Sequence, residues 1–68
     1  MTEQRPAHIQ RVMTELSELN EKIIALEAFI NGKVFVQLHE IDQQLLEQQA
    51  AAMRSYAFIL KQRLIRAS

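Results

Sequence analysis

From Ile9 onward the apolar positions fall at Ile9, Val12, Leu16, Leu19, Ile23, Leu26 and Ile30. The steps alternate three and four residues without a miss, which is the heptad seam of a helix packed on another helix. Met13 and Ile24 widen the stripe beyond a narrow two-stranded seam. Pro6 suits the first turn of this helix, where its missing N–H is not needed. Asn31-Gly32 predicts a stop, because both residues tolerate a left-handed backbone. Val34-Phe35-Val36 then has the composition of a strand, but a lone strand has no partner in this chain. A short helical turn or an extended linker that tucks Phe35 into the core is expected instead. Glu40 and Asp42 place negative charge in the first turn of a second helix. His39 stands where Ser, Thr or Asp is the usual cap, so that start is weakly specified. Lys61, Arg63 and Arg66 favour the other end. The pattern predicts a single helical domain over residues 1–68, with a helix at about 6–30, a connector at about 31–39 and a helix at about 40–66.

The second helix is less orderly. At about 100° per residue, Leu38, Ile41, Leu45, Ala52, Ile59 and Leu60 share one sector. Leu46, Met53 and Leu64 extend it, and Ala50 and Ala57 extend it further. Gln49, Tyr56 and Arg63 fall near its middle, where polar groups are costly unless paired. Arg63 carries five donors and needs an anion or carbonyls to satisfy them. It can reach water from near the helix end, pair with Glu15 or Glu18, or meet a phosphate together with copies of itself. Tyr56, one heptad earlier, fits a core position or the border of such a pocket. On the first helix, His8, Glu15, Lys22 and Phe29 recur every seven residues along one edge of the seam, with Arg11 beside His8. Such a column sets pairing between coiled helices, or lines a groove between subunits with two cations and a stacking ring.

Charge and length narrow the function. The 68 residues carry eight Lys+Arg and eight Asp+Glu, and no cysteine. A neutral chain lacks the field that gathers DNA, RNA or anionic lipid without specificity. A helix-turn-helix reading also lacks its third helix and basic recognition face. Without disulfides or a cysteine-based zinc site, a chain this short is expected to gain stability by oligomerising. The N-terminal residues have no apolar stretch of the signal-peptide kind, and no run approaches the roughly 18 apolar residues of a membrane span. A soluble intracellular protein is expected.

Catalytic chemistry finds no support. His8 and His39 are far apart, and neither belongs to a His-x-x-x-His or His-Glu-x-x-His pattern. No glycine-rich phosphate loop exists, since Gly32 is the one glycine. Ser17, Ser55 and Ser68 have no His and acid at a credible helical spacing. Leu38-His-Glu-Ile-Asp42 through Leu46 resembles a stretch of the all-helical chorismate mutases. In that family the stretch opens a long first helix with two more helices after it, whereas here the chain ends about 25 residues later.

A wider likeness covers almost the whole chain. The first half reads His8-Ile-Gln-Arg-Val12, then Leu19-Asn-Glu-Lys22-Ile23, Leu26 and Phe29-Ile30. The second reads Phe35-x-x-Leu38, Leu45-Leu46-x-x-Gln49, and Met53-x-x-Tyr56-x-x-Ile59-Leu60-x-x-Arg63-Leu64. In this order, with the break between, residues 8–64 resemble the small phage anti-CBASS proteins that sequester cyclic oligonucleotides. The resemblance implies a compact helical hexamer that holds immune signalling nucleotides without cleaving them. It implies that cyclic dinucleotides such as cyclic GMP-AMP sit between paired subunits, served by Lys22. His8, with Arg11 beside it, stands nearest to the tyrosine that stacks on a base in that family. Cyclic trinucleotides such as cyclic tri-AMP are implied where three subunits meet, served by Arg63; Tyr56, one heptad earlier by spacing, would border that pocket.

The expectation is therefore an all-α two-helix hairpin with a short connector, assembled into a compact oligomer, acting in the cytoplasm of an infected bacterial host. Its partners are cyclic oligonucleotides and copies of itself, without cofactor, metal, membrane or nucleic-acid polymer. The alternative is a helical adaptor whose apolar face binds a partner helix.

Overall fold

The computed structural model describes residues 6–67. Helix α1 spans Ala7–Ile30 and helix α2 spans Glu40–Ala67, joined by a 3-10 turn at Phe35–Gln37. The two helices pack on each other as a hairpin, so the fold is all-α among the described residues. The molecule is a rod, with a Cα radius of gyration of 15.8 Å, against about 11 Å for a compact domain of this length.

The heptad seam of α1 is the face that packs. Val12, Leu19 and Ile23 are buried, and Ile9, Leu16, Leu26 and Ile30 are half-buried. Their partners on α2 are Ala57 and the fully buried Leu60, with Leu16, Met53 and Leu64 packed against the cluster. Met13 and Ile24, which widen the stripe, are exposed.

On α2 the structure corrects the reading of the sequence. The residues turned toward α1 are Leu46, Ala50, Met53, Ala57, Leu60 and Leu64. That face is turned by roughly 80° from the sector centred on Gln49, Tyr56 and Arg63, at about 100° per residue. Ile41, Leu45 and Ile59, expected in the core, are 59%, 56% and 54% exposed. Alanines at positions 50 and 57 explain the choice: they let the α2 backbone approach α1, whose seam supplies the large side chains. Every polar residue of the expected sector is exposed, and Gln49 donates its side-chain amide to the Met53 sulfur at 3.8 Å.

The ends of the helices also depart from expectation in chemistry. No described residue has a positive φ, so Asn31-Gly32 does not stop α1 by a left-handed cap. Asn31 ends it instead: its backbone N–H and its side-chain amide both donate to the Glu27 carbonyl, at 3.1 and 2.9 Å. A Cβ at Gly32 would sit close to the end of α1, 3.3 Å from the Phe29 carbonyl oxygen and 3.4 Å from that of Ala28. Phe35 is buried at the closed end, as the turn reading expects. His39 proves to be an effective cap: its Nδ1 accepts the Ile41 N–H at 3.1 Å, satisfying a first-turn donor as a Ser or Asp oxygen does. Gln43 reinforces the start by donating its amide to the Leu38 carbonyl at 3.0 Å.

Candidate functional site

The side chains singled out in the sequence all lie on the surface. His8, Arg11, Lys22, Tyr56 and Arg63 are exposed, and no polar side chain is buried among the described residues. What distinguishes them is which neighbours the hairpin gives each one.

The hairpin is antiparallel, so the start of α1 lies beside the end of α2. There His8, Ile9, Arg63, Arg66 and Ala67 line one open groove of about 330 Å³. No carboxylate is among its described lining residues. Half-buried Ile9 gives it an apolar margin, while the two guanidiniums and the imidazole supply donors suited to phosphate. Arg63 thus meets neither Glu15 nor Glu18. Those two line a different groove on α1 with Arg11, a turn or more away along the axis. Among the described residues the ion pair between the helices is Arg54 with Glu27, Nη1 to Oε2 at 2.8 Å. It sits near the closed end of the hairpin with Asn31 and Glu47 close by.

The expected dinucleotide set is not drawn together within one subunit. Arg11 shares its groove with Glu15 and Glu18. Lys22 lies fourteen residues beyond His8 on the same helix, about 21 Å along the axis at 1.5 Å per residue. Of the trinucleotide pair, Tyr56 and Arg63 project from the same outward face of α2 about 10 Å apart along its axis, flanked by Ile59. Arg66 is the member of the groove that the reading of individual residues did not single out as a ligand. Its signal was present, since positions three apart on a helix are neighbours, but its partner across the groove comes from the other helix.

Tyr56, Ile41, Leu45 and Ile59 expose an apolar face on α2 a third of a turn from the α1 contact, and Phe58 and Ile65 expose another. Apolar side chains left outward beside a packed face are surface available to a further packing partner. The described residues hold no group of three or more His, Asp or Glu that could bind a metal ion, and no helix is long and apolar enough to cross a membrane.

Fold and surface together define a small helical hairpin that exposes apolar faces and, among its described residues, a groove lined by Arg63, Arg66 and His8. The chain belongs to the Sequestin family, whose profile matches residues 6–66. It is 36% identical over 58 residues to a protein of Enterobacteria phage T4 named as an uncharacterized 7.5 kDa protein in the denB-rIIB intergenic region. That match covers 85% of this chain and 91% of the phage protein. Both findings bear out the resemblance to the small phage sponge family. No solved structure matches the chain.

Proposed function

We propose that this protein is a phage anti-defence protein that sequesters cyclic di- and trinucleotide immune signals, such as cyclic GMP-AMP and cyclic tri-AMP, and so keeps them from the effectors of CBASS immunity. The observation that carries this reading is membership of a family named for sequestration, across nearly the whole chain. The protein acts by holding its ligand intact, not by catalysis, in the cytoplasm of the infected host. The exposed apolar faces of α2 support an assembled form, taken to be a homohexamer. In it, Arg63 and Tyr56 of three subunits meet one cyclic trinucleotide, and each guanidinium pairs with one of its three phosphates. Lys22, with His8 and Arg11, serves the dinucleotide between paired subunits. Three clustered guanidiniums repel one another without ligand, so trinucleotide binding stabilises the assembly.

The same apolar faces favour a second reading, a helical adaptor that binds a partner helix and ignores nucleotides. A bind-and-release assay separates the two. The protein is mixed with cyclic GMP-AMP or cyclic tri-AMP, filtered from free ligand, heated, and the supernatant chromatographed. Return of intact nucleotide is the expected result. Degraded nucleotide identifies an enzyme, and no retention of either ligand favours the adaptor. Arg63→Ala is expected to abolish retention of the trinucleotide alone, and Lys22→Ala to weaken the dinucleotide alone.

A further inference from the structure

Helix α2 has two outward faces of different chemistry. Tyr56 and Arg63, placed at the trinucleotide by the proposed function, lie on one of them with Ile59. Ala51, Phe58 and Ile65 form a second column at steps of seven. Phe58 and Ile65 each stand two positions beyond Tyr56 and Arg63, about 200° round the helix, so this column faces nearly the opposite way. Ala51 is exposed, and Phe58 and Ile65 are 61% and 64% exposed. Ala51, Arg54, Ser55, Phe58 and Ile59 line an open groove of about 580 Å³, whose described walls come from α2 alone. A parallel column at steps of seven, Glu47, Arg54 and Lys61, runs along its edge. Neither column holds a residue assigned to a nucleotide. We propose that this face of α2 binds the same face of a second copy of the chain, antiparallel, about a twofold axis near residues 54 and 55.

The groove is self-complementary. It holds a hole, at the small Ala51 and Ser55, and a knob, the exposed Phe58 ring. A twofold copy presents the same two features in reverse, so each Phe58 packs on the other copy's Ala51, as a contact made by one patch with itself requires. Charge sets the direction. The acidic residues of α2 are Glu40, Asp42 and Glu47, and its basic residues are Arg54, Lys61, Arg63 and Arg66. Every acid precedes every base. An antiparallel copy brings unlike ends together, whereas a parallel copy sets Glu47 on Glu47 and Lys61 on Lys61, and like charges across an interface are unfavourable. The register agrees: opposing Phe58 with Ala51 puts Glu47 within one residue of the other copy's Lys61, twice per pair. Among the described residues no ion pair within the subunit engages Glu47. Two Arg54 side chains approach near the axis, but each guanidinium is held by Glu27 of its own subunit at 2.8 Å.

The contact needs no ligand, so it stands apart from the sponge reading while adding a defined twofold to the assembly taken there. The test uses the full-length protein, which has no cysteine of its own. Ser55→Cys and Gln62→Cys are oxidised separately at micromolar concentration and run on a non-reducing gel. Ser55→Cys, near the axis, should form a disulfide-linked dimer. Gln62→Cys should not, since in this register its two copies stand about 22 Å apart along the axis. Any other pattern overturns the proposal: both linked makes the pairing parallel, and neither linked removes it. Sedimentation gives a second readout. Phe58→Ala removes two ring contacts per pair and should weaken association by about 100-fold. The variant should then sediment with half the wild-type mass at matched concentration, its helicity unchanged because the side chain is exposed. Glu47→Lys should also weaken pairing, and Glu47→Lys combined with Lys61→Glu should restore it. Unchanged mass in Phe58→Ala overturns the proposal. So does a wild-type protein that sediments as a monomer, a result that gives the face to a helix of another protein. Nucleotide retention is measured on the same samples: a paired protein that holds neither ligand fails the sponge reading alone.

Discussion

The two helices use their apolar residues in opposite ways. α1 has one unbroken seam of large residues, and that seam is the face that packs. α2 has three apolar faces and commits to α1 the one built partly from alanine, while Ile41, Leu45, Tyr56, Phe58, Ile59 and Ile65 point outward. Within a hairpin, the face with small residues wins because it allows close backbone approach to a bulky partner seam. The outward residues are large and apolar, and exposed patches of this kind are surfaces available to a packing partner.

The sharpest way to break this contrast is to truncate neighbours on α2. Leu60 is fully buried in the hairpin core and Ile59 is largely exposed. Leu60→Ala should cost about 2–5 kcal/mol, read as a large fall in the midpoint of thermal unfolding. Ile59→Ala should leave helicity intact and instead shift the assembly to smaller species in sedimentation. Equal effects of the two on unfolding at low protein concentration would deny that the faces have different roles. Ala57→Leu forces a large side chain into the close helix contact, and overpacking of this kind costs about 1–3 kcal/mol. If it were neutral in denaturant unfolding, the alanines would not explain which face packs. His39→Ala removes the cap of α2 and should cost about 1 kcal/mol, most of it restored by His39→Asp. The smallest effect is expected from Arg54→Met. Its pair with Glu27 is solvent-exposed on both sides, and such pairs contribute about 0.2–1 kcal/mol or less. A double-mutant cycle with Glu27→Gln measures it.

The candidate site was legible in parts. Arg63 stood out because a guanidinium in the middle of an apolar sector needs an anion, Tyr56 followed from its place one heptad earlier, and Lys22 was given its role by resemblance to the family. Arg66 was hidden, because a basic residue in the last turn of a helix already has an ordinary role opposite the helix dipole. The nearness of His8 to Arg63 was hidden for a different reason: it depends on the hairpin register, and 55 positions separate them in the chain.

By itself the sequence determined that this protein is two helices with one break, because helical periodicity and turn chemistry are local properties carried by neighbouring residues. It also carried the family, through an ordered set of residues spread over both helices. The tertiary structure alone decided which of α2's faces meets α1 and that His39 caps a helix. It also decided that His8 shares a groove with Arg63 and Arg66. Each of these turns on how closely two backbones or side chains distant in the chain can approach, and several faces of α2 satisfy the apolar pattern equally well until packing against α1 selects one.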